Sequence, residues 1–384
     1  MAQGAAANRI PFNRPSRTDL DASYIAEALD SGKLAGDGPF TRRSQALLEK
    51  ILGAPRVLLT TSCTDALEMS ALLLDIKPGD EVIVPSFTFV SSINAFVLRG
   101  ARPVFADIRE DTLGLDERQL GALITPLTRA IVPVHYAGVA CDMDAIGAAA
   151  RTVGAAVIED NAHGFLGTYR GRQLGTFGEL ATLSFHDTKN FTCGEGGALI
   201  INDPALVERA EIIREKGTDR TKFLRGQIDK YGWVDLGSSF LPSELLAAML
   251  TAQLERAAWI QDRREQLWRR YASELARWAE RHQVTLPAIP ADRTSSYHMF
   301  NLLVPSIAFR DSLFSWLRER GIQAVSHYIP LHLSPMGKAF GGRPGQCPVA
   351  ERVNELIVRL PFFTNMATAE QDQVITAVQA FEPD

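Results

Sequence analysis

Ser184-Phe185-His186-Asp187-Thr188-Lys189-Asn190, followed closely by Gly194-Glu195-Gly196-Gly197, is the stretch whose reading decides the fold of this chain. It joins two short apolar runs, Ala181 to Phe185 and Ala198 to Ile201, and upstream a third run, Ala156 to Glu159, leads into Asp160. Working outward, Val57 to Thr60, Glu81 to Val84, Pro103 to Asp107 and Ala130 to Val134 have the same length and the same wealth of β-branched residues. Continuous apolar runs of this kind are strands buried on both faces. The stretches between them, Asp65 to Leu74, Phe89 to Leu98 and Met143 to Thr152, have the length and spacing of covering helices. Strands alternating with helices predict an α/β unit with a mostly parallel, seven-stranded sheet.

From Pro242 the character changes. Ser243-Glu244 opens a helical pattern with Leu246, Met249, Leu250 and Leu254 on one stripe. Residues 255 to 282 stay charged and helix-forming, and Pro287, Pro290 and Pro305 then bracket a return to strand at Met299 to Val304. The expected division is a large unit over residues 1–250 and a smaller α+β unit over 251–384.

Composition narrows the function classes. Hydrophobic residues are 46% and charged residues 22%, which suits a soluble globular enzyme and not a disordered chain. A net charge of -5 argues against a general nucleic-acid binder. No apolar run approaches the roughly 20 residues that span a bilayer, and the alanine-rich start lacks the apolar core of a secretion signal. Cys63, Cys141, Cys193 and Cys347 are scattered and form no CxxC pair, so neither a metal site nor a disulfide framework is expected. A reducing cytoplasm is the expected location.

Three features carry chemistry in chain order. Ser62-Cys63-Thr64-Asp65 lies between a strand and a helix, where free amides and hydroxyls suit a phosphate. Asp160 follows a strand, at the edge where open α/β sheets gather ligands. Lys189 then offers an amine. Taken singly each has a plainer explanation: Ser62 or Thr64 as a helix cap, Asp160 as a surface ion pair, Lys189 as a solvated loop lysine. Together, a phosphate cradle, a carboxylate to keep a pyridine nitrogen protonated and an imine-forming lysine point to pyridoxal phosphate.

The chain resembles the DegT/StrS family of sugar-nucleotide aminotransferases from about Ile10 to Phe381. The segments that carry the resemblance are Ser31-Gly32-Lys33-Leu34-Ala35-Gly36-Asp37-Gly38, Val84-Pro85-Ser86-Phe87-Thr88-Phe89-Val90-Ser91, Glu159-Asp160-Asn161-Ala162-His163-Gly164 and Ser184 to Lys189. The resemblance implies a fold-type I pyridoxal-phosphate aminotransferase, working as a homodimer with shared active sites. Within the family the chain is similar to the TDP-4-keto-6-deoxy-D-glucose 4-aminotransferases, through Val134 to Cys141, Arg214 to Thr218, Phe223 to Tyr231 and His327 to His332. That implies a dTDP-sugar ketone as acceptor, L-glutamate as donor and 2-oxoglutarate as coproduct. Amination at C3, or a non-catalytic cofactor-binding role, is the alternative; a related dehydratase is disfavoured because known relatives of that kind lack the lysine.

By matching positions, the resemblance makes Lys189 the imine-forming lysine and Asp160 the partner of the pyridine nitrogen. It places Phe89 on the cofactor ring, His163 at the ring hydroxyl, and Ser62, Cys63, Thr64 and Ser184 at the phosphate. Ser239 stands where many members carry an asparagine that reaches the neighbouring subunit's phosphate. Lys222, Arg225, His327 and Tyr328 are the expected substrate-binding residues. Phe89 as core, His163 as a structural histidine, Ser184 as a strand-end hydrogen bonder and the basic loop as solvated charge remain the alternatives.

Overall fold

The computed structural model describes residues 9–383. Its main sheet has seven strands, β1 (Arg56–Thr60), β2 (Glu81–Pro85), β3 (Arg102–Ala106), β4 (Thr128–Ile131), β5 (Ala156–Asp160), β6 (Leu180–Ser184) and β7 (Gly197–Ile201). They are ordered β1-β7-β6-β5-β4-β2-β3, and β7 alone runs antiparallel to its neighbours. All seven expected strands are therefore present, in one sheet. They contain Leu58, Val82, Ile83, Ile131, Ile158, Leu183 and Ile200, each fully buried. Burial on both faces explains why the sequence showed continuous apolar runs in place of alternation.

The carboxyl ends of β1, β5 and β6 open onto one edge, and antiparallel β7 begins at that same edge with Gly197. A Cβ on Gly197 would stand 2.3 Å from the carbonyl carbon of Ser62 and 2.4 Å from the amide of Cys63. Glycine is needed there because the turn into the helix Cys63–Leu73 passes directly over the strand.

Glu159, one residue before the end of β5, is fully buried. Its carboxylate accepts from the amides of Gly175, Phe177 and Gly178 at 2.8, 2.6 and 2.9 Å and meets His135 Nε2 at 3.0 Å. Burial opposes a charge on His135, but contacts with Cys141 and Glu159 outweigh it and hold the imidazole at about 9. This buried pair fixes the chain on either side of Asp160.

The helix Glu244–Glu255 is capped by position at Ser243 as expected. Of the expected stripe, Leu250 and Leu254 are buried and Leu246 and Met249 half-buried; Ala247, Ala248, Thr251 and Gln253 are buried as well, because the helices Asp21–Asp30 and Pro39–Leu52 both pack against it. Its first residue works outward: the Glu244 carboxylate accepts from the amides of Gly38, Phe40 and Thr41 at 3.0, 2.8 and 3.0 Å, stabilising the start of Pro39–Leu52.

A second apolar core gathers Leu267, Tyr271 and Leu275 of the 25-residue helix Ala257–Arg281 with Phe300, Leu313, Val358, Phe363 and Val374. Here the strand β8 (Asn301–Leu303) pairs antiparallel with β9 (Ile357–Arg359). Ile10 joins this core from the other end of the chain, through Ile10 N–H to Gly321 O at 2.9 Å and Gln323 N–H to Ile10 O at 3.0 Å.

Candidate active site

The strand ends, together with Phe12, His298, His327, Tyr328 and Arg359, line a cavity of about 540 Å³. Of the residues expected in a site, Ser62, Cys63, Thr64, Phe89, Asp160, His163, Ser184, Lys189, His327 and Tyr328 all line it. Lys222, Arg225 and Ser239 do not. Lys222 pairs with Glu208 at 2.6 Å, Arg225 makes a two-pronged contact with Glu211 at 2.9 and 2.8 Å, and Ser239 is exposed beside Glu215.

Asp160 reaches the cavity because β5 ends there. Its Oδ2 accepts from Ser92 Oγ at 2.6 Å and its Oδ1 from the amide of Ala162 at 3.1 Å, so its orientation is set from two directions. Ser92 in turn contacts Thr88 Oγ1 at 2.9 Å.

Lys189 sits in a turn closed by its own amide on His186 O at 3.0 Å. Burial destabilises its ammonium, and despite the opposing pull of Asp160 the amine is lowered to about 8. The turn is strapped from outside by the chain's start: Asn13 Nδ2 donates to Asp187 O at 3.1 Å and Ser16 Oγ to Asn190 O at 2.9 Å.

At the helix start, Ser62 Oγ accepts from the amide of Asp65 at 3.0 Å, so Ser62 does cap the helix while also facing the cavity. Thr64 Oγ1 meets Ser91 Oγ at 2.8 Å. Burial and then the charge of Asp160 push the Cys63 thiol up to about 12, which keeps it protonated. An eleven-residue helix aimed at the cavity by its N-terminus favours an anion there.

Phe89 is 56% exposed, which sets aside the alternative that it is a core residue. His163 is buried and stacks on His298 with ring centroids 4.1 Å apart. Burial, then the charge of Lys189, holds both imidazoles well below their usual value, so both are neutral. Burial does the same to His327, whose Nδ1 meets Tyr136 Oη at 2.6 Å and whose ring stacks on Tyr328 at 3.5 Å. His163 Nδ1 is buried without a hydrogen-bond partner among the described residues.

Sequence reasoning did not single out Ser92, His298, Tyr136, Phe12 or Arg359, though all but Ser92 and Tyr136 line the cavity. Arg359 had a signal: it is the one charge within Ile357-Val358-Arg359-Leu360-Pro361-Phe362-Phe363. The others lie far in sequence from the lysine turn or inside ordinary helix, and only the fold brings them together.

An amine of depressed basicity, a fixed carboxylate and an anion-favouring helix start in one cavity make a site for imine chemistry on an anionic aromatic carbonyl compound. Comparison with known proteins agrees. The model of the DegT/DnrJ/EryC1/StrS aminotransferase family matches residues 15–379, and the chain belongs to this family. It is 32% identical to the spore coat polysaccharide biosynthesis protein SpsC of Bacillus subtilis (strain 168), over 96% of each chain. The aminotransferase TlmJ from Streptoalloteichus hindustanus superposes with a TM-score of 0.89 at 31% identity, covering 97% of this chain and 98% of that one. Spr1654 from Streptococcus pneumoniae, solved in a PLP form, superposes with a TM-score of 0.88 at 27% identity, covering 97% and 98%.

Proposed function

We propose that this protein transfers the amino group of L-glutamate to C4 of dTDP-4-keto-6-deoxy-D-glucose, giving a dTDP-4-amino-4,6-dideoxyhexose and 2-oxoglutarate. Its broader class follows from its family: it is a pyridoxal-phosphate-dependent sugar aminotransferase. The observation that carries the reading of the site is the shared cavity of Lys189, its basicity lowered to about 8, and Asp160, held from two sides.

The residues fit the cofactor. The helix start with Ser62, Cys63, Thr64 and Ser184 offers donors for a phosphate, the unpartnered Nδ1 of buried His163 offers a hydrogen bond to the ring hydroxyl, and Phe89 has open space for a ring to lie on. When bound, pyridoxal phosphate supplies an electron sink for the carbon beside the donor's nitrogen. Asp160, held by Ser92 and the amide of Ala162, is the carboxylate that would keep a ring nitrogen protonated. Lys189 Nζ is the base that would take and return the substrate's proton, and at a basicity near 8 an appreciable fraction is neutral at physiological pH. The neutral histidines and Tyr328 give the cavity an uncharged stretch of wall, where a deoxyhexose would lie.

The C4 assignment rests on the sequence similarity of residues 134–141, 214–218, 223–231 and 327–332 to the 4-aminotransferases. Lys222, Arg225 and Ser239, being outside the cavity of their own chain, belong in this reading to a site shared across a homodimer, with the basic residues toward the nucleotide diphosphate. Residues 1–250 then form the cofactor unit and 251–384 the smaller unit; most of one apolar cluster comes from Leu267 to Phe381, while Met299, Leu331, Ala350 and Val353 pack into the cluster of the sheet. A cytoplasmic location belongs to the same reading.

The test is product analysis. Wild-type protein, L-glutamate and dTDP-4-keto-6-deoxyglucose should yield 2-oxoglutarate and a 4-amino sugar nucleotide by NMR, whose couplings also give the C4 configuration. An amine at C3 would overturn the C4 assignment. Lys189→Ala should show no turnover, and wild-type rates in that variant would remove Lys189 from its role.

A further inference from the structure

Arg359 lies on the cavity wall, and among the described residues neither a carboxylate nor any other group accepts a hydrogen bond from its side chain; its Nε is buried without a partner. A guanidinium keeps its charge at any ordinary pH and carries five N–H donors. Arg359 is half-buried with its Nε sealed from solvent, and leaving such a cation unpaired is costly, so a position built this way points to an anion that arrives with a ligand.

The side chain is also held in place. Its backbone pairs on both sides, with Asn301 through the antiparallel ladder and with Val325 through Arg359 N–H to Val325 O at 2.8 Å and Val325 N–H to Arg359 O at 3.1 Å. Phe12 covers the guanidinium with its ring centroid 4.4 Å from Cζ. Phe12 is itself anchored, since Phe362 N–H donates to its carbonyl at 3.1 Å. The guanidinium is thus covered on one face by an anchored ring, with its N–H groups left free for two-pronged recognition of a carboxylate.

We propose that Arg359 binds a carboxylate of the amino donor, an inference that rests on the aminotransferase reading above. Other anions in the reaction fit less well. The cofactor phosphate has its own donors at the helix start beside Ser62 and Thr64. The sugar nucleotide's diphosphate lies a whole hexose away from the reacting carbon, whereas an amino acid's carboxylate is one bond from it. Arg359 is near enough to Lys189 for its charge to depress that amine's basicity. Besides Lys189, whose amine must stay free to react, Arg359 is the remaining permanent cation among the described lining residues.

Arg359→Gln and Arg359→Lys, each checked for folding by thermal melting and for cofactor affinity, give the test. Calorimetric binding of 2-oxoglutarate to the pyridoxamine-phosphate-loaded protein should weaken roughly 10- to 100-fold in Arg359→Gln, as expected for a charged hydrogen-bonded pair. Arg359→Lys should recover part of it. Affinity for the cofactor and for the sugar nucleotide should stay within about twofold. Unchanged 2-oxoglutarate affinity would overturn the proposal, as would a loss falling on the cofactor or the sugar nucleotide.

Donor analogues on the wild type serve even if a variant fails to fold. L-glutamine and L-isoglutamine neutralise the side-chain and the α-carboxylate in turn. At least one should bind about tenfold or more weaker than L-glutamate, which identifies the carboxylate held; equal binding of all three would overturn the proposal. Failure of the aminotransferase reading looks different, because wild-type protein would then convert no amino acid to its keto acid.

Discussion

At Lys189 the protein works against a charge that the unfolded chain holds freely. Burial lowers the folded amine to about 8 from 10.5, so between those values the unfolded chain binds more protons than the folded one. Stability of the cofactor-free protein therefore rises with pH across that window, and the penalty is fully present below about 8. Lys189→Met should stabilise the cofactor-free protein at pH 7 by at most about 3 kcal/mol, at ~1.4 kcal/mol per pKa unit. In urea titrations that gain should disappear near pH 10.5, and an equal gain at both pH values would show that burial of the charge is not its cause. Ser92 acts on the partner group. Removing its hydroxyl in Ser92→Ala leaves Asp160 Oδ2 without its 2.6 Å donor in a buried setting, a loss of about 1–3 kcal/mol. Cofactor affinity should fall with it, measured by fluorescence quenching on titration, while the melting temperature falls in step.

The elements meet most tightly where β7 begins under the start of the helix Cys63–Leu73. Gly197→Ala would place a methyl 2.3 to 2.4 Å from the backbone of Ser62 and Cys63, and neither strand nor helix can yield as a flexible side chain would. A cost of about 1–3 kcal/mol or more is expected, with phosphate-dependent cofactor binding weakened beyond what stability loss explains; an unaffected affinity for pyridoxal phosphate would separate this crossing from the phosphate cradle. Gly197 was visible in the sequence only as part of a glycine-rich run, and the reason for it appears once two segments more than 130 residues apart are in contact. The strands were legible because a doubly covered sheet demands unbroken apolar runs. Asp160 and Lys189 were legible because one follows such a run and the other precedes glycines. Arg359 was not read, although its apolar surroundings were visible, because a charge in a strand is usually a solvated edge. Ser92 looks like any small helical residue until Asp160 is brought to it.

On the scale of the whole molecule, the segment that carries Lys222, Arg225 and Ser239 turns away from the cavity and exposes an unusual amount of apolar surface. Leu224 is 63% exposed, Trp233 80% and Leu236 50%, and in the same segment the rings of Phe223 and Tyr231 meet at a tilt, 5.6 Å apart. Several large apolar side chains exposed within one short segment of a folded chain mark an interaction site. The homodimer implied by the family resemblance supplies an occupant: a second copy, across which the basic loop of one chain would reach the cavity of the other. Trp233→Glu combined with Leu236→Glu should weaken self-association roughly 10- to 100-fold, the range of a lost aromatic anchor with its neighbour. Sedimentation velocity would report it as a shift from dimer to monomer at micromolar protein. Turnover should fall with the dimer fraction while the monomer still melts cooperatively, since the apolar clusters are all built within one chain. Full activity in a monomeric variant would mean that each cavity works alone, and Lys222, Arg225 and Ser239 would then have no part in the site.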